Sequence, residues 1–123
     1  MPYHRLLCNM SKIIRKHTRQ IVLGGVRIGG DAPISIQSML NTTTADVKSS
    51  LQQIAALEKA GCEIIRFTVM NETDAAVIPA LRLGAKVPLV ADIHFDYRLA
   101  LLAIANGIDG LRINPGNIGN RAK

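Results

Sequence analysis

The chain has no tryptophan, two phenylalanines and two tyrosines in 123 residues. Its interior must therefore be built from Ile, Leu, Val and Ala rather than around large rings. The same scarcity argues against a stacking platform for single-stranded nucleic acid, which needs exposed aromatics beside basic side chains. Cysteine occurs only at Cys8 and Cys62, with no CxxC pair. The sequence thus carries no self-contained zinc or iron–sulfur motif, and a reducing compartment is the simplest reading. Cys62, placed before an apolar run, reads as a small buried residue. No apolar run approaches the ~18 residues of a membrane span. The N-terminus lacks the apolar stretch of a secretory signal and the serine-richness of a transit peptide; Met10 is an alternative start. Acidic residues are missing from positions 1–30, which hold six Lys or Arg, whereas positions 31–123 hold nine charges of each sign. The net charge of +6 is therefore a property of the N-terminus, which argues against a nucleic-acid partner for the folded body.

What is present is a regular alternation of strand and helix signals. QIVLGGVRI, 20–28, has two β-prone runs about Gly24-Gly25, a hairpin signal. PISIQSM, 33–39, is a strand pattern. In NTTTAD, Thr43 and Asp46 have capping-box spacing, and Thr42 to Thr44 read as helix-capping residues. Helical periodicity begins at Val47 and stops at Gly61. EIIRFTV, 63–69, is a β-branched strand. Residues 73–84 read as a helix that Pro79 kinks or splits. VPLVADI, 87–93, is a buried strand, Asp96 caps a helix over 97–106, and DGLRIN, 109–114, is a fourth strand. Hairpin, then βα, βα, βα, β predicts a parallel sheet. KAGCEIIRFTV and ANGIDGLRINP repeat one pattern 46 residues apart, with Gly61, Glu63 and Arg66 matching Gly107, Asp109 and Arg112. The fold class is α/β: half of a (β/α)8 barrel over residues 16–123, preceded by the hairpin, with residues 1–15 as a basic extension expected to be poorly ordered.

Strand residues alternate between faces. Apolar residues at 34, 36, 65, 67, 69, 89, 91, 93, 111 and 113 are expected to face helices. Gln37, Arg66, Asp92, His94, Arg112 and Asn114 then point inward, and parallel strands place them toward the pole where such barrels keep their sites. Several of these residues also admit plain structural readings. Arg66 and Asp92 can be an ion pair between strands, His94 a loop histidine, and Asn114 and Asn117 stabilisers of the Pro115-Gly116 turn. Two arginines against one aspartate leave excess positive charge. Arginine forks match phosphate oxygens, and N–H groups of the Pro115-Gly116-Asn117 turn are candidate further donors. A phosphorylated small molecule is the inferred ligand. A rival reading makes Asp92, His94 and Asp96 a metal-binding trio.

QSMLNTTTAD, IIRFTV, PLVADIHFDYRLAL and LRINPGNIG resemble the 4-hydroxy-3-methylbut-2-enyl diphosphate synthase family from about Lys16 to Asn120. The resemblance implies an oxidoreductase of isoprenoid biosynthesis by the methylerythritol phosphate pathway. Such an enzyme has a TIM barrel followed by a smaller domain with a [4Fe–4S] cluster, and it reductively opens 2-C-methyl-D-erythritol 2,4-cyclodiphosphate with electrons from flavodoxin or ferredoxin. It further implies that Arg66 and Arg112 bind the diphosphate, that His94 and Asn114 lie near substrate, and that Asp92 orients them; Gln37 and Asn117 complete the expected substrate-binding set. No metal ligand is expected in this chain, since Cys8 and Cys62 match none of the family's cluster ligands. A cytoplasmic bacterial enzyme, homodimeric when intact, is implied, with a plastid as the other compartment. The chain spans about four of the eight strands expected. Alone, it is expected to be inactive and to self-associate through open edges and an exposed inner face. Two further readings use the same residues: a pterin- and phosphate-binding barrel like dihydropteroate synthase, against which LRINPGNIG argues, and a non-catalytic anion-binding half-barrel.

Overall fold

Gly24 and Gly25 carry φ of 49° and 93°, and they reverse the chain between β1 (Ile21–Leu23) and β2 (Val26–Ile28), which pair antiparallel. Positive φ at both central residues is what a two-residue hairpin turn of matching twist requires. The structure, a computed structural model, describes residues 14–119. The basic extension expected over 1–15 lies outside the described residues apart from Ile14 and Arg15, and Arg15 Nη1 donates to the Ala32 carbonyl at 3.0 Å.

Beyond the hairpin the elements alternate: β3 (Gln37–Met39), α1 (Val47–Lys59), β4 (Ile64–Thr68), α2 (Glu72–Ala76), α3 (Ile78–Gly84), β5 (Leu89–Ile93), α4 (Tyr97–Ala105) and β6 (Gly110–Ile113). β3 to β6 form one parallel sheet in chain order, the half-barrel expected. Pro79 does split its helix: α2 ends at Ala76 and α3 starts at Ile78 with the proline in its first turn, where a missing N–H costs nothing. Ile65, Phe67, Val69, Leu89, Ala91 and Ile93 are fully buried and pack with Ile54, Ile78, Leu81 and Ala103 of the helices. Cys62 joins that core, its thiol donating to the Ile64 carbonyl at 3.0 Å.

The edges depart from the expected pattern. β3 begins at Gln37 rather than near 33, and Ile34 and Ile36 are 81% and 60% exposed. On the other edge Leu111 packs against the core but Ile113 is 47% exposed. Parity assigns these side chains to the helix side, but an edge strand has a neighbour on one flank only. The inner face is also less open than expected, because the hairpin lies against its lower part. A β-carbon on Gly110 would come within 2.7 Å of Leu23 Cδ1, and one on Gly24 within 2.9 Å of Pro88 Cβ. Ile64 and Val90, which share the inward parity, are buried. The hairpin thus covers the N-terminal ends of β5 and β6, while Gln37 at the start of β3 stays exposed.

The 46-residue repeat has a structural counterpart. Gly61 and Gly107, with φ of 98° and 87°, follow α1 and α4. The acid two residues on then takes the N–H at or just before the start of the preceding strand: Glu63 Oε1 accepts from Ile36 N at 3.1 Å, and Asp109 Oδ2 from Leu89 N at 2.8 Å. Asp109 also pairs with Arg82 Nη1 at 3.0 Å.

Helix α1 corrects the expected capping box. Its N-cap is Asp46, which accepts from the Ser49 N–H at 3.2 Å and the Ser49 hydroxyl at 2.8 Å. Those two bonds, the backbone one first, hold the Asp46 carboxyl below its ordinary value. A carboxylate depressed by folding stabilises fully above its unfolded value, and that contribution is lost as pH falls through the folded one. Asp46→Ala is therefore expected to lower the urea midpoint at neutral pH, with the difference from the parent shrinking in the acid range below the ordinary aspartate value. A gap that widened as pH fell there would contradict the cap assignment.

Candidate functional site

The strand register sorts the inward residues into layers. Thr68, Asp92 and Arg112 are aligned across β4, β5 and β6; Met39, Arg66, Val90 and Gly110 form the layer beneath; Gln37 and Ile64 lie beneath that. Each layer is two residues, roughly 6.6 Å, from the next.

Asp92 is the hub. It is 3% exposed, and three cationic or ionisable side chains come to its two oxygens. Arg112 Nη1 donates to Oδ1 at 3.2 Å, while Arg66 Nε and His94 Nε2 lie 3.5 and 3.6 Å from Oδ2. β5 ends at Ile93, yet His94 still turns to the Asp92 side, its ring edge-on to Phe95 at 6.0 Å between centroids. The contact to Arg66 is coulombic rather than a hydrogen bond: Nε is buried and makes none. Among the described residues Arg66 Nη2 has the Met39 thioether as its hydrogen-bond partner, at 3.0 Å, a weak acceptor. The ion-pair reading of Arg66 and Asp92 is thus geometrically real, but it leaves out Arg112, which approaches the opposite oxygen. Two guanidinium groups share one carboxylate, so a net positive charge remains at the mouth. The arginine side chains keep 26% and 43% of their surface in solvent, so an incoming anion can reach them.

Gln37 lines an open cavity of about 550 Å³ with Arg66 and Arg112, but the register sets it two layers below Asp92. It is the first residue of β3 and does not belong to the cluster at the mouth. Asn114 is used by its own turn. Its Oδ1 accepts from Gly116 N at 3.0 Å, and its carbonyl accepts from the N–H groups of Asn117 and Ile118 at 2.9 and 3.0 Å. The backbone donors expected from this turn are therefore already engaged, and the turn-stabilising reading of Asn114 is the one the geometry carries. Asn117 is exposed.

Asp96 does not join Asp92 and His94. It caps α4, accepting from Arg98 N at 3.0 Å, and pairs with the Arg98 guanidinium at 3.1 Å, a contact that raises the Arg98 pKa through that hydrogen bond. Among the described residues no three His, Cys, Asp or Glu stand close enough to hold a metal ion, so the metal-trio reading has no geometry behind it. No described helix is long and apolar enough to cross a membrane. The loop threonines are not the caps expected of them, since Asp46 caps α1. Thr44 is buried and bridges to β4, a contact 24 residues away that local pattern does not signal.

The sequence model of the GcpE TIM-barrel domain matches residues 18–123. The chain belongs to the GcpE TIM-barrel family. GcpE-type relatives from Maridesulfovibrio salexigens and Lawsonia intracellularis are 60% and 56% identical over 111 and 110 residues, and both are named 4-hydroxy-3-methylbut-2-en-1-yl diphosphate synthase (flavodoxin). The matches cover 90% and 89% of this chain and 31% of each relative, so the GcpE chain described here spans about a third of the length of the curated relatives it matches. The carboxyl transferase domain of Rhizobium etli pyruvate carboxylase superposes with a TM-score of 0.51 at 22% identity over 66% of the chain and 16% of that structure, a likeness of fold alone.

Proposed function

We propose that this GcpE chain is the first half of the substrate-holding barrel of a flavodoxin-dependent synthase that reductively converts 2-C-methyl-D-erythritol 2,4-cyclodiphosphate to 4-hydroxy-3-methylbut-2-enyl diphosphate. The observation that carries the reading is the convergence of Arg66 and Arg112 on the single Asp92 carboxylate. A diphosphate offers more oxygens than that carboxylate, and arginine forks bind them with charge-assisted hydrogen bonds. On this reading Arg66 and Arg112 hold the diphosphate, Asp92 keeps the forks apart and aimed, and His94 stands at the rim beside the reacting part of the substrate. Gln37 lines the floor of the cavity, and Asn114 and Asn117 shape the rim through their turn.

The [4Fe–4S] cluster that such a synthase uses would, when bound, relay the two electrons of the reduction one at a time from reduced flavodoxin. The described residues do not fit it: no ligand set is assembled, and the Cys62 thiol is buried and turned to a carbonyl. We assign its ligands to the remainder of the whole enzyme, together with the flavodoxin contact. A homodimer in the bacterial cytoplasm is the setting we propose, and the 123-residue chain alone is inactive on this reading.

A hybrid tests it. Residues 18–123 replace the matching segment of the Maridesulfovibrio salexigens synthase, and product formation from the cyclodiphosphate is followed with reduced flavodoxin. Turnover by the hybrid is expected. A folded, cluster-loaded hybrid that fails to turn over would sink the proposal.

A further inference from the structure

We propose that Thr44 is a positioning residue for this site, acting through one peptide unit on Asp92 and so on both arginines. The inference rests on reading the site as a diphosphate holder. Thr44 is 3% exposed, and its hydroxyl donates to the Thr68 carbonyl at 2.7 Å. That carbonyl shares a peptide plane with the Val69 N–H, which donates to the Asp92 carbonyl at 3.1 Å. A peptide unit is rigid and moves as one body. The Thr44 hydroxyl therefore grips one end of a plate whose other end holds the backbone of the hub residue.

The loop around Thr44 is fixed on both sides. Asn41 N donates to Gln53 Oε1 at 2.9 Å, Gln53 Nε2 to Asn41 Oδ1 at 2.6 Å, and the Thr42 and Ser50 hydroxyls are 3.0 Å apart. Ser50 Oγ reaches the Thr43 carbonyl at 3.3 Å, and Leu40 N donates to the Arg66 carbonyl at 2.9 Å. The first four bonds tie the loop to α1. The last, with Thr44, ties it to β4, the strand that carries Arg66. Thr44 points into this framework and not into the cavity, so it does not touch substrate. It sets the top layer of the sheet in register, where errors of about 1 Å degrade a binding constellation.

Thr44→Val preserves shape and removes the donor; Thr44→Ser keeps the donor and removes a methyl group. In the hybrid enzyme, Thr44→Val is expected to raise KM for the cyclodiphosphate by about tenfold with a smaller change in kcat, as loss of ordered binding groups does. Exchange of the Val69 amide should quicken in the same variant. Thr44→Ser should restore both. A Thr44→Val enzyme with unchanged KM, or a Thr44→Ser enzyme as impaired as the valine variant, overturns the proposal. Should Thr44→Val not fold, Thr44→Ser decides alone: parental KM supports the hydroxyl's role and a tenfold rise refutes it. Arg112→Met is the control. If it leaves KM unchanged, the diphosphate reading falls and the positioning role falls with it; if it raises KM while Thr44→Val does not, only the positioning role falls.

Discussion

Phe67→Ala is expected to lower the free energy of unfolding by about 3–5 kcal/mol, the usual cost of emptying a buried aromatic site. Phe67 is the largest fully buried side chain among the described residues. It is the fourth of the five residues of β4, opposite Ala91 of β5, and it packs in the core with Ile54, Ile78 and Leu81. Few aromatics are available to substitute for it, and the aliphatic residues around it are anchored in strands and helices, so collapse into the hole is limited. Stabilities of single domains run to only about 5–15 kcal/mol, so the loss is a large share of the total. Urea unfolding followed by far-UV circular dichroism measures it in the hybrid. A change under about 1 kcal/mol would mean that Phe67 is not the centre of the core. Phe67→Leu, which keeps most of the volume, should cost far less.

The second large effect belongs to the arginines. Arg66→Met and Arg112→Met are each expected to reduce kcat/KM of the hybrid by about ten- to a hundredfold, since a hydrogen bond to a charged group contributes roughly 1.5–3 kcal/mol. The geometry explains why Arg66 in particular is ready to engage, whereas Arg112 already donates to Asp92 Oδ1 at 3.2 Å. Arg66 Nη2 rests on a thioether, so a substrate oxygen there replaces a weak acceptor rather than a strong one. Lysine at either position keeps the charge but not the fork and should recover activity only in part. Weakened binding with rising salt is expected in the parent and should be shallower in each variant. Parental kcat/KM in either methionine variant would remove that arginine from the site, and the diphosphate reading with it.

Much of the scaffold was legible because its causes are local. Pro79 lacks an N–H wherever it stands, Asp96 precedes a helical run, and Gly61 and Gly107 end helices by φ alone. The parity of β4 and β5 was equally legible, because a strand with neighbours on both flanks buries one side completely. The same rule failed for Ile34, Ile36 and Ile113, whose burial depends on what adjoins an edge. The hub at Asp92 followed from parity and charge, but the depth of Gln37 did not. Depth requires the register between strands, which residue types in one strand do not encode. Asn114 was open to two readings, and the turn bond from Gly116 decides its geometry. Thr44 reads locally as a capping residue, because its actual partner, the Thr68 carbonyl, lies on a strand 24 residues away.

The paired acids join strands two by two. Glu63 fastens β3 to β4, and Asp109 fastens β5 to β6. At the β4–β5 junction no described acidic side chain does the same work; Lys86 stands two residues after Gly84, where Glu63 and Asp109 stand after Gly61 and Gly107. That junction is held instead by the strand ladder, by the Val69 N–H on the Asp92 carbonyl at 3.1 Å and by the Arg66–Asp92 pair at 3.5 Å. A ligand that drew Arg66 and Arg112 to one anion would span β4 to β6 above it, so filling the mouth would also brace the sheet.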